Sequence, residues 1–184
     1  MPKIIIGFTG PIASGKDASQ KYLSEKYGAI SFRFSTIIRD ILQRLSLEIN
    51  RLNLSRLSSV LRENFSEDLF AKVIAKDVIS SPAELIIVDG IRRPADIQYL
   101  RDVDNFYLVS IDADPKIRYE RLIKRKENID DENKTYEQFL ADHQLETELS
   151  IPLIMAQANY QINNNQSKED LYRQLDKIIS TIKL

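Results

Sequence analysis

Ile4-Ile5-Ile6-Gly7-Phe8-Thr9-Gly10-Pro11-Ile12-Ala13-Ser14-Gly15-Lys16-Asp17 is the stretch whose reading decides the fold. An apolar, β-branched run leads into a loop bounded by glycines, and the loop opens directly on a helical pattern. From Gly10 to Lys16 the spacing is Gly-x-x-x-x-Gly-Lys, and a strand before it with a helix after it is the context that gives this motif meaning. Glycine lets the backbone wrap closely around oxyanions. Inward N–H groups at a helix N-terminus add partial positive charge. A lysine at the end of the loop can reach the outer phosphates of a nucleotide and follow their charge as a phosphoryl group moves. The candidate ATP contacts here are Gly10, Pro11, Ile12, Ala13, Ser14, Gly15, Lys16, Asp17 and Ala18, with Lys16 also catalytic and Thr9 a secondary contact.

The next position departs from the usual loop, because Asp17 stands where a hydroxyl is ordinary. A carboxylate is a hard oxygen ligand that suits Mg²⁺. An acid in the first turn of a helix is also favourable by itself. The expectation is a place in the metal shell.

Working outward, four more apolar runs read as strands: Ala29–Phe34, Leu85–Asp89, Phe106–Asp112 and Tyr160–Asn163, after the first at Ile4–Thr9. Helical patterns are expected at Lys16–Lys26, Thr36–Leu47, Leu54–Asn64, Glu67–Ile79, Ala95–Asp102, Pro115–Lys126, Tyr136–Leu149 and Ser167–Ile182. Strands alternating with helices imply an α/β fold, a parallel sheet covered on both faces. The whole chain, 1–184, reads as one domain. A helical insertion at about 36–80 should shape an acceptor pocket, its apolar face (Leu54, Leu57, Leu61, Phe65, Phe70) belonging to the core.

Composition narrows the class. The 184 residues are 43% hydrophobic and 29% charged, with net charge −1 and no cysteine. Disulfides, zinc ribbons and thiol chemistry are excluded. A basic surface for nucleic acid is not expected. No apolar run reaches membrane-spanning length, and no signal peptide is evident, so a soluble cytoplasmic protein, monomer or homodimer, is expected. His143 has no second ligand beside it and reads as a surface or interface residue.

Ligands gather at the carboxyl ends of strands in such sheets. The second strand ends in Phe34-Ser35-Thr36, followed by Arg39. The third ends in Asp89-Gly90-Ile91-Arg92-Arg93-Pro94. Asp89 is placed to orient Mg²⁺ or its waters, as Asp17 is. Ser35, Thr36, Arg39, Gly90, Arg92 and Arg93 form the candidate acceptor site, since guanidinium groups pair with oxyanions in two-point fashion. After the fourth strand, Arg118, Arg121 and Arg125 share a helical face. Arg118 is a candidate ATP contact, and Arg121 and Arg125 are candidate catalytic residues. That helix and the polar stretch after it, about 118–136, are placed to close over phosphates and exclude water. Phe32, Phe34 and Tyr99 are candidates for stacking on a base.

These segments resemble the P-loop nucleoside monophosphate kinases, and most of all the archaeal adenylate-kinase-related, dephospho-coenzyme-A-kinase-like small kinases. GFTGPIASGKD is similar to their phosphate loop, FSTIIRD to the Ser-Thr segment after the second strand, and VDGIRRPADIQYL to the Asp-Gly-Phe-Pro-Arg segment. In the last, Arg93 falls on the acceptor-binding arginine and Arg92 replaces the proline. DPKIRYERLIKR resembles the start of a short lid. ANYQINN resembles the last strand and its adenine-bordering turn, which implies Asn163 as a nucleotide contact. The resemblance implies strand order 2-3-1-4-5, ATP with Mg²⁺, and a small phosphorylated acceptor. The Gly-Lys-Asp loop is similar to those of kinases whose acceptor is itself a phosphate.

Chemistry separates the acceptors. A phosphate oxygen is already ionised and needs positioning, whereas a hydroxyl benefits from a carboxylate base. Dephospho-coenzyme-A kinases carry an aspartate just after the second strand, and this chain has Phe34-Ser35-Thr36 there, with Asp40 further on. A nucleoside or deoxynucleoside monophosphate is therefore the expected acceptor, with dephospho-coenzyme A the alternative. A nucleotide-binding switch with weak ATPase activity is the reading from another class, and the paired arginines argue against it.

Overall fold

The computed structural model describes residues 3–125, 134–143 and 149–182. Its centre is β1 (Ile4–Thr9), in which all six side chains are buried. An unbroken apolar run of this kind can be a strand only where both faces of the sheet are covered. The alternation of its side chains divides the core in two. Ile5 packs with Ile86 and Val88 on one face, and Ile4, Ile6 and Phe8 with Leu85 and Ile87 on the other.

Around β1 lie β2 (Ile30–Arg33), β3 (Leu85–Ile91), β4 (Phe106–Asp112) and β5 (Tyr160–Asn163). They form a parallel five-stranded sheet in the order β2-β3-β1-β4-β5. This is the expected α/β architecture and strand order. The edge strands β2 and β5 have four residues each, which limits the unpaired backbone a sheet edge exposes.

The first face is covered by α2 (Phe34–Arg44), α3 (Arg51–Asn64) and α4 (Leu69–Ser80). The second is covered by α1 (Lys16–Tyr27) and the C-terminal helix, whose Leu171, Leu175 and Ile178 recur at helical spacing. Further along are α5 (Pro115–Arg125), α6 (Tyr136–Asp142), α7 (Ile151–Met155) and α8 (Lys168–Ile182). Among the described residues no helix is long and apolar enough to cross a membrane.

Several expectations are corrected. The helix expected at Ala95–Asp102 is a short 3-10 turn, Pro94–Ile97. The buried Asp96 carboxylate accepts the backbone N–H groups of Arg92 and Arg93 and so tightens the chain there. Phe34 begins α2 and is a core residue rather than a strand end open to a base. Helix α3 starts earlier than expected because the Asn50 side chain caps it, accepting from the N–H of Asn53,. Phe65, expected in the core, is 73% exposed. The short α7 was not expected; Pro152 in its first turn is compatible with a helix start,. Helix α6 ends at Asp142, short of the Leu149 expected; residues 144–148 lie outside the described residues, as does much of the polar stretch of the expected lid.

Candidate active site

The loop between β1 and α1 is held in conformations that side chains resist. Gly10 has φ 144°, Ala13 58° and Gly15 116°. A Cβ on Gly10 would stand 2.1 Å from the carbonyl oxygen of Ile111 in β4, and one on Gly15 2.2 Å from the Asn164 amide nitrogen. Glycine at these two places is a steric requirement. Gly15 caps α1, so the first N–H groups of that helix open on the loop,. Lys16 Nζ donates to the carbonyl oxygens of Gly10 (2.7 Å) and Pro11 (2.9 Å), curling over the loop that the sequence assigns to phosphates. The Ser14 hydroxyl is buried without a hydrogen-bond partner among the described residues.

The end of β3 is re-aimed by a bulge. Gly7 pairs with Val88 and Thr9 with Ile91, so Asp89 and Gly90 together oppose Phe8,. Gly90 supplies the positive φ, 89°, that the extra residue needs. Asp89 is thereby turned toward α1 and β2, and is 5% exposed. Its cross-strand partner in β2 is Arg33. Arg33 Nη2 donates to Asp17 Oδ1 (2.8 Å) and Gln20 Oε1 (3.0 Å) and forms an ion pair with Asp89 Oδ2 (2.8 Å). Burial works against the charge of Arg33, but Asp89 and Asp17 outweigh it and raise its pKa. The two acids singled out for metal do converge, and they converge on a cation.

Mg²⁺, the metal such a loop uses, fits this pair. The oxygens are hard, a cation already sits between them, and Asp89 Oδ1 is buried with no hydrogen-bond partner among the described residues. No group of three or more His, Cys, Asp or Glu residues is placed for a metal among the described residues. Phosphate oxygens and water would complete the shell, as Mg²⁺ prefers.

On the far side of the loop, α5 brings two of the three expected arginines. Arg118 is 4% exposed and donates to the carbonyl oxygens of Ala113 (2.8 Å) and Ile12 (3.4 Å). Its Nη1 also lies 2.6 Å from His143 Nε2. His143 is thus a half-buried partner of the loop-binding arginine rather than a plain surface residue. Its Nδ1 faces the Phe139 carbonyl at 2.8 Å. A carbonyl only accepts and a guanidinium only donates, so the hydrogen is on Nδ1 and the lone pair on Nε2. Arg121 donates through Nη2 to the Asn164 carbonyl (2.9 Å), while its Nη1 is buried without a hydrogen-bond partner among the described residues. Burial lowers its pKa. The side chain of Arg125 lies outside the described residues.

The turn after β5 contributes one residue later than expected. Asn163 is exposed, and its side chain accepts from the N–H of Asn165. Asn164 is 5% exposed and donates to the Ser14 carbonyl at 2.7 Å. The alternation of β5 continued one step would have pointed to it.

The acceptor side is looser. Thr36, Arg39 and Arg92 are exposed, Ser35 is half-buried, and Arg39 makes no ion pair among the described residues. Arg93 reaches Glu67 at 3.4 Å. Nearby, Arg62 of α3 is 9% exposed, donates to the Glu67 carbonyl (2.7 Å), lies over the Phe70 ring and sits 3.9 Å from Asp96. Burial first, and Arg93 second, lower the pKa of Arg62. Arg33, Gln20, Arg62 and Asn164 were not singled out by the sequence. Besides Asn164, Arg33 alone carried a signal there, standing directly before the Phe34-Ser35-Thr36 segment. The Tyr99 hydroxyl bonds Asp68, and Phe32 and Tyr99 are half-buried against the core.

A sequence family described as an AAA domain matches residues 6–140, from within β1 into α6. The chain belongs to that family. The chain is 29% identical to a UPF0200 protein of Methanocaldococcus jannaschii over 97% of its own length and 90% of the relative's. A UPF0200 protein of Thermococcus kodakarensis is 27% identical, with 97% and 98% covered. Among solved structures, shikimate kinase from Bacteroides thetaiotaomicron superimposes with TM-score 0.69 at 16% identity, covering 98% of this chain and 99% of that one. Shikimate kinase from Acinetobacter baumannii in complex with shikimate gives 0.57 at 18% identity, with 99% and 96% covered. At such identities the likeness is one of fold. The chain therefore has a P-loop, kinase-like fold.

Proposed function

We propose that this protein is an ATP-dependent phosphotransferase whose acceptor already carries a phosphate, a nucleoside or deoxynucleoside monophosphate. The observation that carries the reading is the pairing of two cationic zones across one loop. Lys16 and the inward Arg121 flank the loop on the nucleotide side. Arg93, Arg62 and the exposed Arg39 and Arg92 lie beyond β3. A donor phosphate and an acceptor phosphate each need such charge, and phosphoryl transfer between them needs little else from the protein.

In this reading, the backbone of Gly10–Lys16 holds the β- and γ-phosphates and Lys16 leaves the loop carbonyls to meet them. The unused Nη1 of Arg121 supplies charge where it builds during transfer. Arg118 and Asn164 hold Ile12 and Ser14, and so the loop, in position. Asp17 and Asp89 hold Mg²⁺, which neutralises the phosphates. Arg93 and its neighbours hold the acceptor.

A hydroxyl acceptor, dephospho-coenzyme A, keeps one point in its favour: Asp89 Oδ1 is a buried carboxylate oxygen with no partner among the described residues. The Oδ2 of the same carboxylate is engaged by Arg33, which disfavours it as a base. The test is a coupled assay with ATP and Mg²⁺ against a panel of ribo- and deoxynucleoside monophosphates and dephospho-coenzyme A. Turnover of dephospho-coenzyme A alone would overturn the phosphate-acceptor reading. Slow ATP hydrolysis unmoved by any acceptor would instead indicate a switch.

A further inference from the structure

The Nη2 atom of Arg33 sits 2.8 Å from Asp17 Oδ1, 3.0 Å from Gln20 Oε1 and 2.8 Å from Asp89 Oδ2. That nitrogen has two hydrogens and faces three oxygens. That nitrogen cannot satisfy the third with a full hydrogen bond. A divalent cation can use all three, because hard ions are bound by carboxylate and amide oxygens together. Asp17 and Gln20 are one turn apart on α1, and residues so spaced face the same way. Asp89 comes from the bulged end of β3. Arg33 arrives from β2, delivered by its register with Asp89.

We propose that Arg33 is an internal counter-cation that competes with Mg²⁺ for Asp17, Gln20 and Asp89, and that metal arriving with a nucleotide displaces it. The proposal rests on the reading that a metal–nucleotide binds at the loop. In the free protein, the guanidinium offsets two carboxylates that would otherwise repel each other. Mg²⁺ seeks oxygens at about 2.0–2.1 Å, so the three donors cannot close on the metal while a nitrogen stands between them. A bare ion must expel a bound positive charge. An ion carried by a triphosphate brings its own negative charge and reaches the site with Lys16 already recruited to the phosphates. The competition therefore favours the metal–nucleotide complex over the free metal.

The displaced side chain has room to move. A groove of about 390 Å³, lined by Asp17, Gln20, Lys21, Ser24, Glu25 and Arg33, runs along α1 beside the site, and Glu25, which lies 3.8 Å from the exposed Lys21, offers a further carboxylate. Arg33 is also the residue immediately before α2. Its release thus links arrival of the metal–nucleotide to the first turn of the helix that carries Ser35, Thr36 and Arg39.

The test uses Mn²⁺ as the probe, followed by electron paramagnetic resonance on the full nucleotide-free chain. Arg33→Gln, which keeps a polar side chain and removes the charge, is expected to bind Mn²⁺ about tenfold tighter than the wild type or better. Arg33→Lys, still charged, should stay near the wild type. Adding Gln20→Leu to Arg33→Gln should lose roughly tenfold of the gain. Equal affinity in the wild type and Arg33→Gln would overturn the competition. Should Arg33→Gln not fold, the wild type decides by NMR of its arginine side chains. The Arg33 guanidinium should rotate slowly in the free protein. It should be released by Mg²⁺ with a non-hydrolysable ATP analogue, and not by the analogue in EDTA. A guanidinium still locked with the metal–analogue bound sinks the proposal. An analogue that fails to bind at all sinks the nucleotide reading instead, and the Mn²⁺ comparison, which needs no nucleotide, still decides the role of Arg33.

Discussion

The two sides of the loop are built differently. On the side of β4, β5 and α5, buried groups from several elements clamp it: Asn164 on Ser14, Arg118 on Ile12, and the Ile111 carbonyl against Gly10. On the side of α2, α3 and α4, Thr36, Arg39 and Arg92 point outward, and Leu45, Leu47, Ile49, Leu52 and Phe65 are exposed. Electrostatic catalysis works best from groups that need not reorganise, and the clamped side provides them. In α3 and residues 45–50 before it no apolar side chain is fully buried, and a segment with few buried contacts opens and closes at low cost, which suits the proposed capture of an acceptor,. In the proposed reaction, rigidity thus falls to the donor half of the site and adaptability to the acceptor half.

The largest effect should come from the one side chain that curls over the clamped loop. Lys16→Met is expected to lower phosphoryl transfer by about 10²–10³-fold, the scale for removing one preorganised charge-stabilising group. The melting temperature should hold, because the lysine's hydrogen bonds to the Gly10 and Pro11 carbonyls are only half-buried. Wild-type turnover in this variant, measured in the coupled assay, would remove the loop from the mechanism.

Two glycines compare the sides directly. Gly10 and Gly90 both have positive φ, 144° and 89°. A Cβ on Gly10 meets the β4 backbone at 2.1 Å, and one on Gly90 meets only Phe34, at 3.9 Å. Gly10→Ala should therefore cost about 3 kcal/mol or more, and Gly90→Ala about 1–2 kcal/mol from conformation alone. Urea denaturation of both variants gives the two values. Equal losses would mean that the clamp around Gly10 yields and that the contrast between the sides is not real.

Smaller still is the effect expected from Arg93→Ala. Arg93 is partly exposed and paired only with the exposed Glu67 among the described residues. Losing it should raise KM for the acceptor about tenfold, an amount worth about 1.4 kcal/mol, and leave KM for ATP unchanged. A rise in the ATP KM instead would place Arg93 on the nucleotide side.

How far the sequence could be read follows the same division. The β1–loop–α1 unit is local: a spacing of glycines and a lysine after an apolar run dictates its backbone. The strands were legible because both faces of the sheet are covered, which leaves unbroken apolar runs such as Leu85–Val88. What was not legible depends on register. Arg33 reaches the site only because β2 pairs with β3 so that it stands beside Asp89, and only because the bulge at Asp89–Gly90 turns that acid. Arg62 is one arginine in an amphipathic helix, and nothing local separates a buried one from a solvated one. The stretch expected as a helix after Pro94 is a single 3-10 turn capped at its start by Asp96, and the local pattern of residues is the same for either.

The smallest effect concerns the buttress behind the clamped side, where α8 packs on α1. Asp176 accepts from Tyr22 (2.7 Å), Tyr27 (2.8 Å) and Lys26 (2.8 Å), and Tyr22 stacks on Tyr172. Burial opposes the charge of Asp176, yet the hydrogen bonds from Lys26, Tyr22 and Tyr27 hold its pKa below the ordinary aspartate value. A carboxylate depressed in the folded state stabilises above its unfolded pKa, about 3.9, and that contribution fades as pH falls through the lower folded value. Unfolding free energy of the wild type should therefore decline between about pH 5 and pH 3 more steeply than that of Asp176→Asn. At pH 7 the variant should lose less than about 1 kcal/mol, because the carboxylate borders solvent and its pair with Lys26 is screened. Urea titrations across that pH range measure both slopes. If the slopes coincide, Asp176 titrates alike in the folded and unfolded chains, and the α1–α8 buttress rests on the tyrosine stack and the apolar contacts of Leu171, Leu175 and Ile178 instead.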